Sequence, residues 1–175
     1  MKNKTLIIYA SVDGQTQKIC TYLLNILSKQ GQETHIFPIQ GLNVKLDSYE
    51  KIIIASSIRY GKHHAEIIHL IKENFEILNN KKSAFISVNL VARKQEKNTA
   101  DTNPYVKKFL ATIPWKPKKV GVFAGMLDYS KYSFMDRFLI RLIMVITKGP
   151  IFPESAIEYT DWKRVEAFAD DFLKL

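Results

Sequence analysis

A chain of 175 residues has room for one domain with a proper core, and with 46% of them hydrophobic the composition excludes a disordered or fibrous protein. The single cysteine, Cys20, excludes an intrachain disulfide and points to a reducing cytosol; inside a helical pattern and without a neighbouring partner, it reads as a core residue, not a redox thiol. Lys and Arg total 26 against 17 Asp and Glu, a formal charge of +9, which suits an anionic partner (nucleic acid, anionic lipid or acidic substrate) or simply a soluble basic protein.

The apolar run Leu6–Ala10 reads as a buried strand, and it starts so near the first residue that no room is left for a signal peptide. It ends in Ser11-Val12-Asp13-Gly14-Gln15-Thr16, after which Ile19, Tyr22, Leu23, Ile26 and Leu27 mark a helix. A strand feeding a hydroxyl-rich loop that opens a helix is a phosphate cradle. The first N–H groups of a helix lack intrahelical partners, and its dipole is positive there. Ser11 and Thr16 offer hydroxyls, while Gly14 lets the backbone approach closely. The loop has neither the Walker A lysine nor the three-glycine dinucleotide spacing, and no metal-ligand spacing occurs in the chain. A phosphate monoester held without a metal fits best, which points to FMN. The plain alternative is a tight turn capped by Ser or Asp.

Weak alternation at Glu33–Ile39 predicts a second strand, and the β-branched run Lys51–Ser56 a buried third. Ala65–Leu78 has helical spacing, Ser83–Val88 is a fourth strand, Tyr105–Ala111 a shorter helix and Val120–Ala124 a fifth strand. This alternation means a parallel sheet with helices on both faces. Ligands of such sheets sit at the carboxyl ends of the strands. The loops to watch are therefore Ser11–Thr16, Ser56–Gly61, Ser87–Arg93 and Gly125–Tyr132. No repeat or low-complexity tract interrupts the pattern.

Phe134–Ile146 is helical and apolar almost all round, Lys148-Gly149-Pro150 stops it, and Ala156–Tyr159 is β-like. A last helix runs from Trp162 to Leu173, capped by Thr160 or Asp161. The Phe134 helix is too short to span a bilayer. Arg137 and Arg141 lie at i, i+4, with Lys148 on the same face. This suits a helix in the headgroup plane of an anionic membrane. A buried packing helix, or one that pairs two copies as a homo-oligomer, is the alternative.

With DGQT at Asp13–Thr16, ASSIRYG at Ala55–Gly61, SAFISVNLVARK at Ser83–Lys94, AGMLDY from Ala124, MDRFLIRLIM at Met135–Met144 and YTDW at Tyr159–Trp162, the chain resembles the flavodoxin-type, quinone-dependent protoporphyrinogen IX oxidases over nearly its whole length. The resemblance implies a flavodoxin-like five-stranded sheet of order 2-1-3-4-5, with an extra helix after strand five. It also implies bound FMN, six-electron oxidation of protoporphyrinogen IX, a membrane quinone (menaquinone or ubiquinone) as acceptor, and a peripheral place on the cytoplasmic face of the inner membrane. Ser57, Ile58, Arg59, Tyr60 and Gly61 are then expected beside the flavin, with Tyr60 bordering the ring. Ser87, Val88, Asn89 and Leu90 are expected at the ring edge, and Gly125 and Tyr129 on the other side. Arg59, Arg93, Lys94 and Lys97 can pair with propionates, or can be solvated loop cations. His63 and His64 read as proton carriers or as caps of the next helix, and no general base stands out. An electron-carrier flavodoxin and an NAD(P)H-quinone reductase remain the rival readings. Nucleic-acid binding lacks the interleaved basic and aromatic motif it would need.

Overall fold

The computed structural model describes residues 4–131, 133–146, 148–151 and 156–175. Tyr132, the expected end of the fourth loop, lies outside them. In chain order the elements are β1 (Lys4–Ala10), α1 (Gln15–Lys29), β2 (Glu33–Pro38), β3 (Lys51–Arg59), β4 (Lys62–His63), α2 (Ala65–Asn80), β5 (Lys82–Val88), α3 (Pro104–Thr112), β6 (Lys119–Phe123), β7 (Met126–Leu127), α4 (Phe134–Ile146), β8 (Ile157–Glu158) and α5 (Trp162–Leu173).

The continuous apolar runs of β1, β3 and β5 reflect a sheet covered on both faces, where alternate residues serve opposite cores. Leu6, Ile8, Ile52, Ile54 and Phe85 pack with Ile67 and Ile71 of α2 and Phe109 of α3. Ile7, Ile53, Ala84 and Ile86 pack with Ile19 and Leu23 of α1 and Val165 and Phe172 of α5. The main strands are parallel in the order β2-β1-β3-β5-β6, which is the expected 2-1-3-4-5 once the two-residue β4 is set aside. Two small antiparallel pairs are additions to that expectation. β4 folds back on β3, and β8, the β-like piece near Ala156, pairs with β7.

Trp115, Ser83 and Lys51 have their buried polar groups answered. Trp115 Nε1 donates to Ser83 Oγ (2.9 Å), which donates to the Leu78 carbonyl (2.7 Å). Lys51 Nζ, almost wholly buried, donates to the Leu173 carbonyl (2.8 Å) at the negative end of the α5 dipole. Cys20 is buried, and burial pushes its thiol well above the ordinary range, so it is inert at neutral pH.

Register brings the functional loops to one edge. Ala10 pairs with Ser56, Ser57 with Val88, and Val88 with Phe123, so the segments that follow leave the sheet side by side. The sheet changes direction between β1 and β3, the position where folds of this class bind ligands.

Candidate functional site

At this edge the described residues enclose a cavity of about 460 Å³, within the range of small-molecule sites. α1 begins at Gln15, earlier than the apolar pattern suggests, so Gln15 and Thr16 belong to its first turn and not to the loop. Ser11, Val12, Asp13, Gln15 and Thr16 all line the cavity. Gly14 does not; it shapes the turn, with φ of 89° and its N–H donating to Ser11 Oγ (3.1 Å). The buried Gln15 side chain ties α1 to the C-terminal segment, donating to Glu158 Oε1 (3.0 Å) and Thr160 Oγ1 (2.8 Å). Thr16 Oγ1 is different. It is buried and has no hydrogen-bond partner.

Ser57, Ile58, Arg59, Tyr60 and Gly61 line the opposite wall. Tyr60 (φ 50°) and Gly61 (φ 74°) form the two-residue turn between β3 and β4, where both central residues take left-handed geometry. A tyrosine there is strained, and its hydroxyl is tied down by Asp136 Oδ1 at 2.6 Å. Ser57 Oγ is the second buried hydroxyl without a partner. Two orphaned hydroxyls on residues that line one cavity are a cost unless a ligand meets them. Their chemistry, with the open N–H groups of the α1 first turn, fits the phosphate and polar ring edge of FMN.

From β5, Val88, Asn89 and Leu90 reach the cavity, but Ser87 stands behind it. Ser87 Oγ accepts from Asn89 Nδ2 (3.1 Å) and lies 2.9 Å from His63 Nε2. Asn89 Oδ1 accepts from the Ala92 N–H and from Asn103 Nδ2 (both 3.1 Å), which fixes the turn that carries Leu90. Gly125 lines the cavity. Tyr129 does not. It sits under α4 beside Leu127 and Met144, with the Arg141 guanidinium 5.6 Å above its ring.

The expected substrate cations are displaced. Arg93, Lys94 and Lys97 are not part of the cavity wall. Arg93 Nη1 donates to the Leu90 carbonyl (3.0 Å), and the guanidinium lies against Gly149 at the end of α4. Lys94 joins two successive 3₁₀ turns, Leu90–Arg93 and Gln95–Lys97, and Lys97 ends the second. Only Arg59 of the four faces the cavity, and it is paired with Asp136 of α4.

The histidines correct a second expectation. His63 is buried against Phe85 and Phe109 rather than capping α2, and burial lowers its imidazole to about 3. It is therefore neutral at physiological pH and no proton carrier. His64 occupies the cap position, but no side-chain capping bond forms; its N–H donates to Ser56 Oγ (3.0 Å). Since the unfolded chain protonates His63 near 6.5, it binds more protons than the folded state below that pH. Stability should then fall on acidification from pH 6.5 towards 4, by about 1.4 kcal/mol per pH unit from this residue. Urea unfolding at pH 7 and pH 5 should show this loss in the parent and a smaller one in His63→Gln. Equal losses would mean that His63 titrates normally.

Sequence reasoning missed the roof. Asp136, Leu139, Ile140 and Ile143 of α4 line one side of the cavity, joined by Met126, Val91 and Tyr105. Almost uniform apolarity hid which side of α4 faces inward, although Asp136 is its one acidic residue.

Residues 6–153 match the flavodoxin domain family. Protoporphyrinogen IX dehydrogenase (quinone) of Escherichia coli strain K12 is 39% identical over 173 residues, which is 98% of this chain and 96% of that protein. The Leishmania major protein of the same name is 42% identical over 174 residues, 98% of this chain and 75% of its own length. The chain belongs to this flavodoxin-domain family. Solved flavodoxins share its fold at low identity. That of Streptococcus pneumoniae TIGR4 has a TM-score of 0.55 at 14% identity, and flavodoxin 2 of Bacillus cereus 0.55 at 18%; each alignment covers 98% of both chains.

Proposed function

We propose that the chain oxidises protoporphyrinogen IX to protoporphyrin IX, passes the electrons to a quinone, and holds FMN at the carboxyl edge of its sheet. The observation that carries this reading is a cavity at the switch point whose two buried, partnerless hydroxyls, Thr16 and Ser57, await a polar ligand, in a chain so similar to quinone-linked dehydrogenases of that substrate. Thr16, the second lone pair and proton of Ser11, and the first-turn N–H groups of α1 would hold the phosphate. Ser57, the Ile58–Gly61 backbone and Asn89–Leu90 would meet the ring. Bound FMN supplies the two-electron chemistry that no side chain here can. The residues do the rest. Leu139, Ile140 and Ile143 exclude water from the mouth, and Tyr60, pinned by Asp136, presents an aromatic face to a planar ligand. The reaction removes six hydrogens from the tetrapyrrole, two for each quinone reduced to quinol. Purified FMN-loaded protein given protoporphyrinogen IX and a quinone should develop porphyrin fluorescence equally with and without NADH. Quinone reduction that depends on NADH, without porphyrin, would favour the reductase reading.

The same proposal places the protein peripherally on the cytoplasmic face of the inner membrane. No described helix is long and apolar enough to cross a membrane. α4 is apolar on two sides for two reasons. One side roofs the cavity, while Phe134 (84% exposed), Phe138 (61%), Val145 (57%) and Ile146 (72%) form an outward ridge. Arg137 and Lys148 are exposed beside it, a combination suited to the acyl boundary and to anionic headgroups. Arg141 departs from the expected basic face, being half-buried over Tyr129. A quinone dissolved in the bilayer is met most directly by a helix that lies on it and covers the site.

A further inference from the structure

We propose that Asp136 is an internal stand-in for a substrate carboxylate, occupying Arg59 until a propionate of the porphyrinogen takes its place. The inference rests on the porphyrinogen reading above and deepens it. Both partners line the cavity, yet they sit differently. Arg59 is about two-fifths exposed (42%) at the mouth, whereas the Asp136 side chain, in the first turn of α4, is 6% exposed. The pair joins one guanidinium nitrogen, Nη2, to Asp136 Oδ2. Arginine carries five donors in a planar fork, and its best match is a carboxylate engaged through two of them. A propionate entering from the open side can use that fork more fully.

The exchange is physically tolerable because Asp136 does not depend on Arg59 alone. Tyr60 donates its hydroxyl to Oδ1 (2.6 Å), and Ser133 donates to Oδ2 (2.7 Å). The Tyr60 and Ser133 hydroxyls are the leading causes that hold its carboxyl below the usual range, ahead of the Arg59 charge. Ser133 also accepts from the Asp136 N–H (3.2 Å), a reciprocal cap that fixes the start of α4. With the arginine released, a buried carboxylate still has two hydroxyl donors, so it need not take up a proton. Of the four cations expected to grip propionates, Arg59 alone faces the cavity, so specificity for a carboxylate-bearing ring falls on it.

The test compares binding of protoporphyrin IX, a dicarboxylate, with its dimethyl ester, which has the same ring without charge. Both are titrated into FMN-loaded protein in one detergent, with porphyrin fluorescence as readout. Arg59→Gln should weaken the diacid about tenfold or more and leave the ester unchanged. Asp136→Asn, which keeps an oxygen for Tyr60 and turns an amide N–H towards the Ser133 hydroxyl and Arg59, should tighten the diacid several-fold and again spare the ester. Ser133→Ala, which removes one of the two donors that hold Asp136 once Arg59 leaves, should weaken the diacid relative to the ester, whereas a mere latch would leave the ratio where it was. If the ester follows the diacid in the Arg59 or Asp136 variant, or if Asp136→Asn weakens the diacid, Asp136 is only a latch for α4 and the proposal falls. Quinone-dependent porphyrin formation by the parent, measured on the same preparation, separates the two failures. Activity without a change in the ratio overturns the stand-in alone, and no activity overturns the proposed function with it.

Discussion

Thr16→Val should weaken FMN binding by about ten- to a hundredfold, the value of a hydrogen bond to a charged group, while the FMN-free protein becomes no less stable. The two halves have opposite physical origins. Thr16 Oγ1 is buried without a partner, so replacing it by a methyl of similar shape removes an uncompensated polar atom from the empty fold. With phosphate present the same change deletes a donor. Thermal unfolding with and without FMN checks both, since the gain in midpoint on adding FMN should shrink while the FMN-free midpoint holds or rises. A variant with unaltered FMN affinity would mean that the phosphate is held elsewhere.

Phe138→Glu combined with Leu142→Glu should abolish binding to anionic vesicles, a loss of at least about a hundredfold if each side chain contributes roughly 2 kcal/mol in the acyl boundary. Both positions are exposed (61% and 48%), so the core and the cavity are left intact. Reversing Arg137 and Arg141 is a poorer test, because the Arg141 guanidinium packs over Tyr129 and its loss would disturb the underside of α4. In co-sedimentation the parent should bind phosphatidylglycerol vesicles better than neutral ones, and less tightly at high salt. The variant should stay in the supernatant, keep its FMN and still reduce a water-soluble quinone analogue. Undiminished vesicle binding by the variant would assign the ridge a different role.

What the sequence makes legible follows from which signals are local. The buried strands are readable because continuous β-branched runs such as Ile52–Ile54 suit a sheet covered on both faces. The strand–loop–helix at Ser11–Thr16 is readable because an apolar run, a hydroxyl-rich loop and a helical period follow one another within a few residues. Direction is not local. Arg93 and Arg59 are both cations at the right edge of the sheet, yet one is drawn to the Leu90 carbonyl and the other to Asp136, contacts set by where α4 comes to rest. Tyr129 is an aromatic at the right strand end, but the β7–β8 pair turns it beneath the helix. His63 faces inward because β4 pairs with β3 and the turn before it consists of Tyr60 and Gly61, a conformation no hydrophobic period announces.

The most direct measurement is the stoichiometry of an anaerobic reaction containing FMN-loaded protein, protoporphyrinogen IX and a soluble quinone. The proposed function requires three quinols for every protoporphyrin formed, no consumption of added NADH, and no porphyrin above the uncatalysed rate when the FMN-free protein is used. Quinol formed at the expense of NADH with the porphyrinogen untouched, or porphyrin formed at the same rate without FMN, would contradict it.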